Sequence, residues 1–323
     1  MFKTRITQLF GIKYPIIAGG MHLLSRAELV AAVSNAGGLG ILASTTFETK
    51  EELQEEIRKT KTLTNKPFGV NLNLFPMMRP RSVEEDIGIF VDEGVEVVES
   101  SGASPEPYVP RLKEAGIKII HKVPAVRFAR KAESAGVDAV TIVGFECAGH
   151  PGMDDVTSLI LVPLTVDAVK IPVVAGGGFC DARSFVAALA LGAEGVVMGT
   201  RFVATHECIA HPKIKEWLVK AKETDTMLID RSTGLPMRVI KNKPADKALE
   251  MDKRCASLEE LLTVISGELG RKAWMEGDID AGVVSLGMAV GRIHEIVSVK
   301  EVIDDIIEEA KAICRRLNLT LAA

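Results

Sequence analysis

The feature that most constrains this chain is a recurring run that is short, continuously apolar and rich in β-branched residues, and that ends each time in small or polar residues. It occurs at 15–19, 39–43, 67–73, 95–100, 117–122, 139–143, 171–176 and 195–199. Runs apolar at every position, rather than at alternate ones, belong to strands covered on both faces, as in a parallel sheet. Between them lie helically periodic stretches. One carries Ala27, Leu29, Val30, Val33 and Ala36 and is closed by Gly37 and Gly38, since glycine accepts the left-handed conformation that stops a helix. Others span 51–63, 83–93, 108–115, 126–135, 156–169 and 182–191. Successive runs start 22–32 residues apart, the length of one right-handed βα unit, and eight such units close a barrel. We therefore expect an α/β fold, a (β/α)8 TIM barrel. A doubly wound open sheet is the competitor, and no run reads as its edge.

After Phe202 the pattern changes. From Thr205 to about Gly291 the chain is charged, helical in pattern, punctuated by Gly and Pro, and holds both tryptophans, Trp217 and Trp274. This reads as an inserted helical cap. Beyond it Val299, Val302, Ile303, Ile306, Ile307, Ala310, Ile313 and Leu317 form an apolar stripe on one helix face, the expected eighth barrel helix. The expected organisation is a barrel over 1–204 and 292–323 with a cap or substrate domain over 205–291.

Composition removes several function classes. With 323 residues, 47% of them hydrophobic, the chain can bury a large core and is not disordered. A formal net charge of −4 lacks the clustered basic footprint of a nucleic-acid binder. Cys147, Cys180, Cys208, Cys255 and Cys314 contain no CxxC pair and read as reduced thiols. No run approaches the ~20 apolar residues of a bilayer span, and the start lacks the apolar core of a signal peptide. The expected location is the cytoplasm, with neither membrane nor nucleic acid as partner.

In a barrel, functional groups sit where strands end. Those places carry GGM at 19–21, NLN at 71–73, HK at 121–122, GFECAGHPG at 144–152, GGGFCD at 176–181 and MGTRF at 198–202. Gly176, Gly177 and Gly178 after the seventh run, with Gly199 and Thr200 after the eighth, propose a phosphate cradle of backbone N–H groups and a helix start near Asp181. Tight turns alone are the plainer alternative. Lys122 ends an apolar run and projects from the mouth as a cation able to stabilise negative charge, or sits there as a solvated surface group. Asn71 and Asn73 share one strand face; if that face is the interior, each must be bonded to a ligand or to the other.

His150, between Gly149 and Pro151, is the candidate acid or base; its alternative is a loop histidine paired to Asp154 or Asp155. A zinc site from Glu146, Cys147 and His150 lacks further ligands, so no metal is expected. Cys147 has no partnered base that would make it a nucleophile. His22 and His121 adjoin strand ends and are weaker candidates for the mouth, whereas His206, His211 and His294 read as structural.

Together these residues resemble the flavin-dependent nitronate monooxygenase family, formerly 2-nitropropane dioxygenases, which also holds NADH:quinone reductases and flavin enoyl-reductases of fatty-acid synthesis. The motifs are PIIAGGM at 15–21, NAGGLG at 35–40, PFGVNLNL at 67–74, HK at 121–122, GFECAGHPG at 144–152, the stretch 175–202, and SLGM at 285–288. The resemblance implies a barrel with a helical cap and FMN as cofactor. It implies that Gly19, Gly20 and Met21 run beside the isoalloxazine, that Asn73 meets its polar edge, and that Lys122 faces N1 and C2. Gly177, Gly178, Gly199 and Thr200 would hold the phosphate, Gly176, Ala148 and Gly149 would line the cofactor, and His150 would be the active-site histidine.

Where the typical monooxygenase has EAGGH and a basic residue, this chain has ECAGHPG followed by Asp154 and Asp155, closer to the NADH:quinone reductase branch. The expected activity is thus an NAD(P)H:quinone reductase, with NADH or NADPH reducing FMN in a ping-pong cycle. Oxidation of alkyl nitronates with O2 is the alternative, and a flavin-free phosphometabolite-binding barrel is a reading from another class. A homodimer is compatible with an apolar cap surface.

Overall fold

The structure, a computed structural model, describes residues 2–75 and 81–321. Eight parallel strands close a barrel in chain order: β1 (Ile16–Ala18), β2 (Leu39–Ala43), β3 (Phe68–Leu74), β4 (Val97–Gly102), β5 (Lys118–Val123), β6 (Ala139–Val143), β7 (Val173–Gly176) and β8 (Gly195–Met198). Closure is the pairing of β1 with β8, Ile17 opposite Val197. Helices α2 (Ala27–Asn35), α3 (Lys50–Leu63), α4 (Val83–Asp92), α5 (Val109–Glu114), α6 (Val126–Ser134), α7 (Ser158–Ala168) and α8 (Ala182–Ala190) return the chain between strands. A short α9 (Thr200–Val203) follows β8. Seven of the expected helices and all eight strands thus stand where the periodicity put them, within two residues at each end.

A further helix, α1 (Arg5–Phe10), precedes the first strand. Thr4 caps its start and Gly11, at φ 66°, its end. Its Ile6 and Phe10, with Ile12, pack onto Ile17, Leu39, Ile41, Val97, Ile120, Ala139, Val174 and Val197. These strand residues are the inward set, so α1 plugs the N-terminal end of the barrel. Side chains alternate along a strand, and the next inward positions toward the opposite end are Gly19, Ala43, Asn71, Glu99, Lys122, Thr141 and Gly176. The apolar core therefore stops half-way up, and a polar layer begins above it.

After α9 come α10 (Pro212–Lys220), β9 (Thr226–Ile229), β10 (Met237–Ile240), α11 (Lys243–Lys253), α12 (Leu258–Ile265) and α13 (Gly267–Glu276). The stretch expected to be helical throughout thus holds an antiparallel ribbon, β9 against β10. The ribbon turns through Gly234, at φ 79°. Ile229 and Val239 pack under Ala245, Ala248 and Leu261, so the helices themselves supply the second layer that a two-stranded ribbon needs. The last helix, α14 (Val299–Leu321), lies against α8 and α2 and buries Val299, Val302, Ile303, Ile306, Ile307 and Ala310. The Val299 N–H donates to the Glu207 carboxylate at 3.0 Å. Among the described residues no helix is long and apolar enough to cross a membrane.

Candidate active site

The polar layer at the C-terminal end of the strands is built around one carboxylate. Glu99 on β4 is 1% exposed, and its Oε1 lies 3.0 Å from Lys122 Nζ on β5. Its Oε2 accepts from Asn71 Nδ2 at 2.8 Å and from the Gly20 N–H at 3.3 Å. Asn71 Nδ2 also donates to the Glu99 carbonyl at 3.1 Å. At an effective dielectric near 20, unit charges 3 Å apart attract by roughly 5 kcal/mol, the order needed to offset withdrawing Glu99 from water. The Lys122 side chain keeps 24% of its exposure. Lys122 thus stands at the mouth as an ion-paired cation.

Two expectations change here. Asn71 is bonded to Glu99, and not to Asn73 or held open for a ligand; Asn73 Oδ1 instead accepts from the Phe75 N–H at 2.9 Å. His121 does not line the mouth. It precedes Lys122, so the strand's alternation turns it outward. There it is 4% exposed and 2.9 Å from Ser100 Oγ. Burial pushes its pKa down to about 4. His22 lies 3.3 Å from Thr45 Oγ1, and burial, then the charge of Arg271, lowers its pKa.

The loop after β6 carries His150. Its ring is exposed and leans against Phe75, centroids 4.9 Å apart and planes 36° from parallel. Crowding by the surrounding walls desolvates the imidazole and lowers its pKa, which favours the neutral form at pH 7. Asp154 and Asp155 do not pair with it. They hold Arg127 at 2.5 Å and Arg231 at 2.8 Å. Gly149, at φ 67°, is bridged to Arg238 of β10, donating to its carbonyl at 3.1 Å and accepting its N–H at 2.6 Å.

Glu146 accepts from the Ser158 N–H and hydroxyl at 3.0 Å each, which closes the start of α7 two residues after the expected one. Among the described residues no three His, Cys, Asp or Glu side chains are grouped to hold a metal. Burial pushes the Cys147 thiol up to about 12, far from a thiolate nucleophile.

On the adjacent strands β7 and β8, Gly176 faces Val197 in register. Gly177 and Gly178 follow at φ 91° and 82°, conformations that glycine alone adopts without strain. A Cβ on Gly176 would stand 2.7 Å from Val197 Cγ1. Among the described residues, no acceptor is bonded to the N–H groups of Gly178, Phe179, Thr200 or Arg201. The start of α8 is closed by its own Asp181, which accepts from the Ser184 N–H at 2.9 Å and pairs with Arg292. The donors left for an anion are therefore those of the two loops and not that helix end. Met21 borders Gly199, where a Cβ would meet its sulfur at 3.6 Å. Thr200 Oγ1 accepts from the Gly287 N–H at 3.0 Å, and the Met288 N–H donates to the Glu146 carbonyl at 3.0 Å. SLGM of the inserted stretch is thus seated between Ala148 and Thr200.

A barrel mouth with a glycine-lined pair of adjacent turns, a histidine loop and an inserted segment docked across both is matched from residue 3 to residue 309 by the model of one family, nitronate monooxygenase. The chain belongs to the nitronate monooxygenase family. It is 39% identical to FabK from Thermotoga maritima, whose solved structure superposes with a TM-score of 0.90 over 98% of this chain and 99% of that one. It is 35% identical to (3aS,4S,5R,7aS)-5-hydroxy-7a-methyl-1-oxo-octahydro-1H-indene-4-carboxyl-CoA dehydrogenase of Rhodococcus jostii, over 95% of this chain and 96% of the relative. A probable nitronate monooxygenase of Staphylococcus saprophyticus is 34% identical over 97% of this chain and 99% of its own. As a nitronate monooxygenase family member the protein is an oxidoreductase.

Two residues of this family member's site escaped the sequence reading. Glu99 breaks the apolar run VVESSG, and its inward position was legible as two residues beyond Val97. Arg238 gave no signal. Its side chain, 3% exposed, lies 4.4 Å over the Phe145 ring and donates from Nε to the Phe145 carbonyl at 3.1 Å. It thereby ties the inserted ribbon to the loop that bears His150.

Proposed function

We propose that this protein is an FMN-dependent oxidoreductase that passes reducing equivalents from NADH or NADPH through the flavin to a small organic acceptor, a quinone in the first instance. The observation that carries this reading is the pair of turns after β7 and β8, with positive-φ glycines and backbone N–H groups lacking an acceptor. That is the chemistry a terminal phosphate requires, so the residues present fit FMN. When bound, FMN supplies the two-electron chemistry, and the protein supplies binding, orientation and electrostatics.

Gly177, Gly178, Gly199 and Thr200 would hold the phosphate, with Gly176, Ala148 and Gly149 lining the cofactor. Gly19, Gly20 and Met21 would lie along the ring system, Asn73 at its polar edge and Lys122 at the N1 and C2 side. His150, its imidazole neutral, would donate a hydrogen bond to the acceptor oxygen or move a proton there. In the same proposal residues 1–204 and 292–323 bind the cofactor, and 205–291 form the wall that meets the acceptor.

A second reading makes a CoA thioester the electron donor to the flavin, favoured by the name of the 35%-identical Rhodococcus jostii protein, a carboxyl-CoA dehydrogenase. The family name favours a third, nitronate oxidation with O2. Anaerobic stopped-flow mixing of flavin-loaded protein with NADH, NADPH and ethylnitronate separates them. Bleaching by a nicotinamide and recolouring by a quinone support the first reading, and bleaching by a saturated acyl-CoA added in the same series, but by no nicotinamide, replaces it with the thioester reading. Bleaching only by ethylnitronate overturns both.

His150→Ala should slow turnover at least tenfold while leaving the flavin bound, since general acid–base groups contribute about 10²–10⁴-fold. Loss of flavin from that variant would move His150 from chemistry to cofactor binding.

A further inference from the structure

Lys122 is not a lone cation at the mouth, because it is ion-paired to Glu99. The carboxylate lies beneath, 1% exposed, and the ammonium lies above, toward the mouth. A Cβ built on Gly19 would stand 3.5 Å from Lys122 Nζ and 3.6 Å from Glu99 Oε1, so both charged ends border the backbone that faces the cofactor region. The bonds from Asn71 and Gly20 to Oε2 fix the carboxylate and leave Oε1 for the lysine.

We infer that Glu99 is a positioning residue: it holds the ammonium at the barrel mouth and compensates its charge, so that whatever lies there faces a neutral ion pair instead of a net cation. The field of an oriented pair falls off faster with distance than that of a single charge. Such a site stabilises an electron-rich ring system less than an unpaired lysine does, and so lets electrons leave more readily. This inference rests on the flavin reading above.

Sulfite is the probe. It donates its sulfur lone pair to flavin N5, with no leaving group, and the displaced electron pair settles on the N1 and C2 edge. Its dissociation constant therefore reports the charge facing that edge. It is measured by titration at the 450 nm flavin band, with flavin stoichiometry and circular dichroism recorded for each variant.

Glu99→Gln, which keeps the side-chain shape, should bind sulfite at least tenfold more tightly than the wild type, because the lysine is then uncompensated. Lys122→Met should bind it at least tenfold more weakly, because the buried carboxylate is then bare. In the double variant the tightening caused by Glu99→Gln should vanish, the outcome expected if the effect passes through Lys122. Flavin-loaded Glu99→Gln with a constant within twofold of the wild type overturns the inference and leaves the flavin reading intact. If Glu99→Gln does not fold, an unchanged constant in Lys122→Met overturns it equally. Wild-type protein that takes up no FMN overturns the flavin reading, and the inference with it.

Discussion

At the scale of single residues, two histidines with lowered pKa values differ in what the shift expresses. His150 is crowded but open, and its shift favours a neutral imidazole at an exposed position. His121 is sealed behind the barrel wall, and its shift is a stability term. Its folded pKa, about 4, lies below the ordinary 6.5, so below pH 6.5 the unfolded chain binds the proton and the folded one does not. Stability from this group is complete above pH 6.5 and declines by up to about 3 kcal/mol as pH falls to 4. His121→Asn should flatten that decline, read by urea unfolding at pH 7.5, 5.5 and 4.5. Equal losses in variant and wild type would show that the imidazole takes up its proton in place. Lys122 and His150 were legible because each ends or follows an unmistakable strand. The position of Glu99 could be read but its role could not, because that role depends on a partner on the next strand, and spacing along the chain carries no record of that pairing.

At the scale of elements, the turn after β7 combines left-handed backbone with close enclosure. Gly177 sits at φ 91°, and a Cβ there would lie 3.0 Å from both the nitrogen and the oxygen of Gly144, backbone atoms that cannot swing aside. Gly177→Ala should cost about 1 kcal/mol or more in stability and reduce flavin retention on gel filtration, read as the ratio of absorbance at 450 to 280 nm. Retention equal to wild type would separate this turn from cofactor binding. The strands were readable almost to the residue, because burial on both faces writes an uninterrupted apolar word. The ribbon β9–β10 was not, since four-residue strands are too short to display alternation, and α1 was not, because its few apolar residues resemble any chain end.

At the scale of the whole molecule, α14 completes a ring that the other helices leave open. Ile303 is fully buried, and a Cβ on Gly38 would stand 3.5 Å from its Cδ1. Ile303→Ala should lower the unfolding free energy by about 2–5 kcal/mol, measured in urea with fluorescence and circular dichroism together. A loss below 0.5 kcal/mol would mean that the helix docks without this contact. The barrel count and the covering role of this helix were legible from the repeat and the apolar stripe, while the seating of SLGM between Ala148 and Thr200 belongs to tertiary packing alone. The order of the parts also bears on biosynthesis. The stretch 205–291 is translated after the eighth strand and before its cover, so at about 5–20 residues per second the nascent chain spends several seconds with an uncovered greasy seam between α8 and α2. Until α14 emerges the chain has nothing of its own to lay over that seam, so a message broken inside the insertion would yield a product that keeps it exposed.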